Sequence, residues 1–319
     1  MKNLGYCEVE HQVNVNAPAA DVYRLIAEVQ NWPRLFPPTV YVDHVERSAE
    51  SERIRIWATA NGKVKNWTSH RMLDAAQLRI EFHQEVSAPP VAAMGGSWLI
   101  EPISETESLV RLLHDYRAID DDPDHLAWIE QAVDRNSRSE LAALKANLEM
   151  ATGTGEELMF SFADTVVING AAKDVYDFLY DAQLWNERLP HVARVVLTED
   201  APGLQILEMD TRTKDGATHT TKSVRVCFPH RKIVYKQIAL PALMTLHTGY
   251  WLVTEDPTDD GAGLAVTSQH TIVINEANIS RIISADAGVA QARDFIHDAL
   301  STNSLVTLGH AKEYAESRR

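Results

Sequence analysis

A chain of 319 residues is long enough for about two domains of ordinary size. Its net charge of −15, divided at residue 155 into −8 and −7, leaves no basic arm, which argues against nucleic-acid binding and against an anionic membrane surface. Two cysteines, Cys7 and Cys227, make no disulfide scaffold, no run reaches the roughly 18 apolar residues of a membrane span, and MKNLGYCEVE has no apolar signal core; a reducing, cytoplasmic setting is expected.

Along the chain, Tyr6 to Val15 alternates as a strand does. Ala17-Pro18 precedes a helical spacing at Val22, Leu25, Ile26 and Val29, and Pro18 suits a helix start. A short segment around Trp32 to Phe36 ends at Pro37-Pro38. Five or six strands follow, at about 40–47, 52–60, 63–72, 77–87, 93–101 and 108–118, with Asn61-Gly62 as a hairpin signal. Asp120-Asp-Asp122 marks a solvated helix start, and a long helical pattern runs from Asp124 to Met150.

The second half repeats the first at an offset of 153 residues. Asp21-Val22-Tyr23 matches Asp174-Val175-Tyr176, Trp32 matches Trp185, and Gly96-Ser97-Trp98 aligns with Gly249-Tyr250-Trp251. Phe82-His83-Gln84 aligns with Tyr235-Lys236-Gln237, Asp215-Gly216 repeats the hairpin signal, and the offset drifts to 156 at His114 and His270. Tryptophan is rare, so its matches at one offset weigh more than the raw identity. Two copies imply a domain pair, not a solenoid. The expected domains are 1–150 and 156–319, joined by a small, flexible linker at 151–155, with the second long helix near Ala287 to Ala315. Strand follows strand without intervening helices, so each sheet is antiparallel and the class is α+β: a curved sheet around a long C-terminal helix, twice.

Such a fold leaves a cavity between sheet and helix. Trp32, Trp98, Trp185 and Trp251, with Trp57, Trp67 and Trp128 in the first copy, read equally as core filler or as cavity walls. Period-two alternation puts Trp67, Ser69 and Arg71 on one strand face and Thr68 and His70 on the other. With one inserted residue, Ser223 and Arg225 match Ser69 and Arg71, while Thr221 replaces Trp67. Lys63 and Lys65 share the face of Arg71, so that face is either a solvent ladder or, through twist or a bulge, a cavity wall. The 13 histidines form no HExxH or other metal pattern, and no GxGxxG, Walker loop or GxSxG elbow is present; no metal or cofactor is expected.

The element order resembles the helix-grip fold of START and Bet v 1-like proteins. Asn31-Trp32-Pro33 leading to Phe36-Pro37, the strand Trp67-Thr-Ser-His-Arg71 and the late-strand Trp98 are similar to polyketide aromatase/cyclases of bacterial type II polyketide synthases. The tandem, and the run from Val224 to Gln237 followed by His247-Thr-Gly-Tyr-Trp251, resembles the didomain branch. That resemblance implies a cofactor-independent enzyme that takes a ketoreduced poly-β-ketone from an acyl carrier protein, closes the first ring between carbons 7 and 12 and dehydrates it to an aromatic ring. It implies catalytic roles for Arg71 and Ser69 and, in the second copy, Arg225 and Ser223. It implies substrate contacts at Trp32, Trp67, Trp98, His83, His114, Trp185, Trp251 and His270. Arginine stays protonated and serves as an oxyanion holder, not a base. His83, His114 and His70 all remain open as the general base.

The implied partners are the acyl carrier protein and, within the synthase, the ketosynthase and ketoreductase. Arg225, Arg231, Lys232 and Lys236 form the densest basic cluster and are either the carrier-docking rim or a solvated strand pair. The rival function is a non-enzymatic carrier of a lipid or other apolar ligand, which favours a smooth apolar cavity without Ser-x-Arg pairs. A third is a structural or chaperone role with a single live pocket. Thr221 and the inserted Lys222 make the second pocket unequal to the first.

Overall fold

The structure, a computed structural model, describes residues 6–151, 158–212, 218–255 and 263–318, the side chains of 150 and 151 apart. The expected linker beyond residue 151 and the Asp215-Gly216 hairpin signal lie outside the described residues. The chain divides into two compact units, Met1–Gly155 and Glu156–Arg319.

In the first unit, β1 (Cys7–Val15) leads to α1 (Ala19–Ala27), a single 3-10 turn (Val29–Asn31) and α2 (Trp32–Leu35). Six strands follow: β2 (Thr39–Arg47), β3 (Ser51–Ala60), β4 (Lys63–Asp74), β5 (Arg79–Val86), β6 (Val91–Pro102) and β7 (Ser108–Ala118). The helix α3 (Pro123–Ala151) closes the unit. The sheet is antiparallel, in the order β1-β7-β6-β5-β4-β3-β2. Its concave face and the apolar stripe of α3 (Leu141, Leu144, Leu148) share one core with Val22 and Ile26 of α1. Asn61-Gly62 turns β3 into β4 with φ of 48° and 76°, the two left-handed residues of a type I′ hairpin. Asp122 caps α3, its carboxylate accepting from the backbone N–H groups of Asp124 and His125.

The second unit repeats this order with β8 (Met159–Ile168), α4 (Ala172–Tyr180), α5 (Trp185–Arg188), β9 (Val192–Ala201), β10 (Leu204–Arg212), β11 (Thr218–Phe228), β12 (Lys232–Ala239), β13 (Met244–Glu255) and β14 (Leu264–Ile274). Its strand order, β8-β14-β13-β12-β11-β10-β9, matches the first. One element was not legible in the repeat: a short helix α6 (Ile279–Ile282) precedes the long helix α7 (Val289–Glu316). Both sheets carry an irregularity at the same place, where Thr68/Ser69 and Lys222/Ser223 meet the neighbouring strand. The pleat beyond it still aims Ser69, Arg71 and Arg225 at the core.

Those arginines fasten each first helix to its sheet. The last carbonyls of a helix have no intrahelical donor, and they carry the negative end of its dipole. Arg71 donates to the carbonyls of Ile26 (3.0 Å) and Ala27 (3.3 Å) at the end of α1. Arg225 donates to those of Leu179 and Tyr180 at the end of α4. The guanidinium carbons lie 4.9 Å from the ring centre of Trp32 and 5.3 Å from that of Trp185. Each indole N–H in turn donates to a carbonyl of the same helix, Ile26 or Phe178.

The two clamps differ in one partner. Arg71 also donates to the Glu52 carboxylate at 2.6 Å, with both side chains 1% exposed. In the second unit the residue opposite the arginine is the neutral Gln205. Removing one partner of a buried ion pair costs about 3–5 kcal/mol, because it strands the other charge, whereas a neutral buried hydrogen-bonding group is worth about 1–3 kcal/mol. Glu52→Ala is therefore expected to destabilise its unit by more than Gln205→Ala does the other, by about 2 kcal/mol at the middle of the two ranges. Denaturant unfolding of the full chain measures both, and equal losses would contradict the ion-pair account.

Candidate functional site

The second unit encloses a cavity of about 460 Å³ between its sheet and α7. Small-molecule sites run from about 300 to 1,000 Å³. Its apolar wall includes Trp185, Trp251, Leu207 and Met209; its polar wall includes Ser223, Arg225, Tyr235, His247, His270 and Ser304. The corresponding cavity of the first unit is only about 130 Å³. Trp67 and Trp128 fill space there, and the residue matched to Trp67 in the second unit is the smaller Thr221.

Of the residues singled out from sequence, Trp185, Ser223, Arg225, Trp251 and His270 line the larger cavity together, and Trp32, Trp67 and His114 line the smaller. Four others lie elsewhere. Arg71 and Ser69 are both buried and off the wall of the smaller cavity, Arg71 because Glu52 and the carbonyls at the end of α1 hold it. Trp98 is 3% exposed and stacks on Phe36 at 5.8 Å within the core, which is the volume-filling role. His83 sits on the outer face of the sheet against His70, their rings 5.2 Å apart; this parity takes both out of reach of the cavity. The basic cluster does not form a rim either. Arg225 and Lys236 are buried, and Arg231 and Lys232 pack over the rings of Phe228 and Tyr250.

Burial sets the charge states. It pulls the Arg71 guanidinium down to about 10, against the opposing pull of Glu52, so that it stays protonated at neutral pH. It also lowers Arg225, whose hydrogen bonds go only to backbone carbonyls among the described residues. The larger cavity thus holds a cation with no carboxylate bonded to it, while the cation of the first unit is neutralised. Burial pushes His114 and His270 down to about 4 and His247 well below its ordinary value, so all three imidazoles are neutral near pH 7.

Several polar residues on the walls escaped the sequence reading. Ser137 and Ser304 hold the same offset along the long helices as Ile129 and Ile296, and each faces its cavity as a buried serine. That common spacing was the available signal. Gln84 and Gln237, already matched in the repeat, each present a buried side-chain oxygen with no partner. Glu52 shares the strand parity of Ile54 and Ile56, and a carboxylate on an apolar face announces a buried cation.

Comparison with known proteins agrees with this architecture. Residues 6–149 match the family described as polyketide cyclase / dehydrase and lipid transport. The chain is 53% identical over 297 residues to the granaticin polyketide synthase bifunctional cyclase/dehydratase of Streptomyces virginiae, covering 93% of this chain and 96% of that protein. It is 42% identical to the actinorhodin polyketide synthase bifunctional cyclase/dehydratase of Streptomyces coelicolor, covering 98% of each. Among solved structures, the di-domain ARO/CYC BexL from the BE-7585A biosynthetic pathway superposes with a TM-score of 0.85 at 64% identity, over 97% of this chain and 99% of that one. The fold is the tandem START/Bet v 1-like one, and no helix among the described residues is long and apolar enough to cross a membrane.

The neutral histidines make stability depend on pH with a definite sign. Their folded values lie below the unfolded value of about 6.5, so the unfolded chain binds more protons between the two. Stability is full above about pH 6.5 and falls as pH drops toward 4. The melting temperature is expected to decline from pH 7 to 5, before most carboxylates titrate. His114→Gln and His270→Gln should each flatten that decline, and slopes identical to the parent would refute the assignment.

Proposed function

The chain belongs to the family of bifunctional cyclase/dehydratases of polyketide synthases, and from that premise we propose that it folds a poly-β-ketone chain in its C-terminal cavity, closes the first ring and removes water to make that ring aromatic. The supporting observation is the cavity of about 460 Å³ with an arginine in its wall to which, among the described residues, no carboxylate is hydrogen-bonded.

A poly-β-ketone is acidic at every carbon between two carbonyls, so making an enolate is easy and choosing the carbons that meet is hard. A shaped wall supplies that choice by holding the chain in one bend. Trp185, Trp251 and Leu207 provide the apolar surface. Arg225 holds a carbonyl oxygen and stabilises it as it becomes an enolate or alkoxide, an interaction strengthened by exclusion of water. Ser223, its neighbour but one on β11, orients the same oxygen. Arg71 fastens α1 to the first sheet, and Trp32, Trp67 and His114 bound the smaller cavity.

The substrate that best fits is a ketoreduced chain delivered on an acyl carrier protein, with the ring closed between carbons 7 and 12. Close relatives named as components of polyketide synthases support work alongside the ketosynthase and ketoreductase. They are named for an enzymatic activity, which favours this reading over passive carriage of a lipid.

Thr221→Trp tests the cavity, since it installs the bulk that the first unit carries at Trp67. In reactions reconstituted from a minimal synthase and ketoreductase, a folded Thr221→Trp protein is expected to lower the aromatised product at least tenfold and raise misfolded shunt products. An unchanged profile would move the reaction out of this cavity.

A further inference from the structure

The wall of the larger cavity contains a hydrogen-bonded line with no counterpart in the smaller one. The Tyr235 hydroxyl lies 2.8 Å from Nδ1 of His270. On the other side of the same ring, Nε2 of His270 lies 2.8 Å from the Ser304 hydroxyl and 3.1 Å from that of Ser268. Nε2 of His247 approaches both the Tyr235 oxygen (3.3 Å) and Nδ1 of His270 (3.0 Å). Tyr235, His270 and Ser304 all face the cavity, so the line opens into it at both ends.

The first unit has the same scaffold with the line cut. His114 and Ser137 match His270 and Ser304, but Phe82 stands at the position of Tyr235, Met94 at that of His247 and Leu112 at that of Ser268. Nδ1 of His114 is accordingly buried without a partner, beside the Phe82 ring at 5.5 Å. The aromatic ring at this place is fixed in both units by a glycine. A Cβ at Gly96 would lie 2.8 Å from the tip of Phe82, and one at Gly249 would lie 2.6 Å from the Tyr235 hydroxyl. The second unit pays a visible cost for its polar version: Nδ1 of His247 is buried with no partner. Buried polar groups are rarely left so, and an apolar Met at this position is what the first unit uses.

We propose that Tyr235, His270 and Ser304 form a neutral proton relay that performs the dehydration half of the reaction, and that this half belongs to the C-terminal unit alone. The proposal rests on the reading that this cavity holds the polyketide chain. After ring closure the ring carries an alcohol next to an acidic C–H. Ser304 oxygen takes the proton from that carbon as its own proton passes to Nε2 of His270. The Nδ1 proton of His270 passes to the Tyr235 oxygen, and the Tyr235 proton passes to the departing hydroxyl. The C–H electron pair becomes the new C=C bond, the C–O bond breaks, and water leaves. One proton enters the line and one leaves, so no ion is created in the cavity. The line is left with His270 in its other tautomer, and proton exchange with water resets it after product leaves. Burial favours such a neutral route, because it makes a charged imidazolium or tyrosinate costly there. His247 is a positioning residue that holds the Tyr235 oxygen against His270.

The test is Tyr235→Phe in the full chain, a substitution the fold accepts at Phe82. In the reconstituted reaction the variant should still close the ring and should accumulate a cyclised product heavier by one water. Aromatised product should fall at least a hundredfold, the range of lost general acid catalysis. His247→Met should give the same intermediate with a smaller loss. Wild-type rates of aromatisation in Tyr235→Phe would overturn the relay. So would loss of ring closure in a variant with an unchanged melting temperature, since Tyr235 would then serve cyclisation. A wild-type protein that leaves the product unchanged relative to its omission would instead sink the underlying reading of the cavity.

Discussion

A guanidinium buried against the end of a helix organises both units. The first helix of each repeat is only nine residues long, too short to hold itself in water. Its last carbonyls need donors, and the arginine from the middle of the sheet supplies them while its face rests on an indole. That contact holds the helix end against the sheet. The same tryptophan belongs to the core and to the cavity wall in each unit, so stability and site shape are coupled through one side chain.

Duplication left that clamp in place and let its electrostatics diverge. Where Glu52 pairs with Arg71, the charge is spent on the fold. Where Gln205 stands opposite Arg225, the guanidinium donates to helix-end carbonyls and feels the Glu199 carboxylate only through space, Glu199 being held by Gln205, so no carboxylate bonds it among the described residues and it can meet an oxyanion in the cavity. A direct bond to a carboxylate, present at Arg71 and not found at Arg225, thus separates a structural arginine from one suited to chemistry. The volumes follow the same division, with tryptophans filling the first cavity and a threonine opening the second.

The polar line through Tyr235, His270 and Ser304 extends this asymmetry from charge to proton transfer. It crosses three elements, β12, β14 and α7, each carrying one member. Their alignment depends on the close approach of strands at Gly249, where any side chain would collide with the neighbouring backbone. The first unit keeps the glycine and the histidine and has lost, or never gained, the hydroxyl that joins them.

Much of this architecture follows from the sequence itself. Strand alternation, the Asn61-Gly62 turn, the paired tryptophans and the 153-residue offset lead to a tandem of curved antiparallel sheets closed by long helices, because those signals are local or repeat in register. Parity also separated Trp67, Ser69 and Arg71 from His70. What parity cannot supply is the occupant of the space a side chain enters. Arg71 points inward and meets Glu52 from the adjacent strand, whereas Arg225 points inward and meets a cavity; His83 and His114 look alike in sequence and lie on opposite faces. Tertiary structure decided those matters because they depend on contacts between residues far apart in the chain, which no local period encodes.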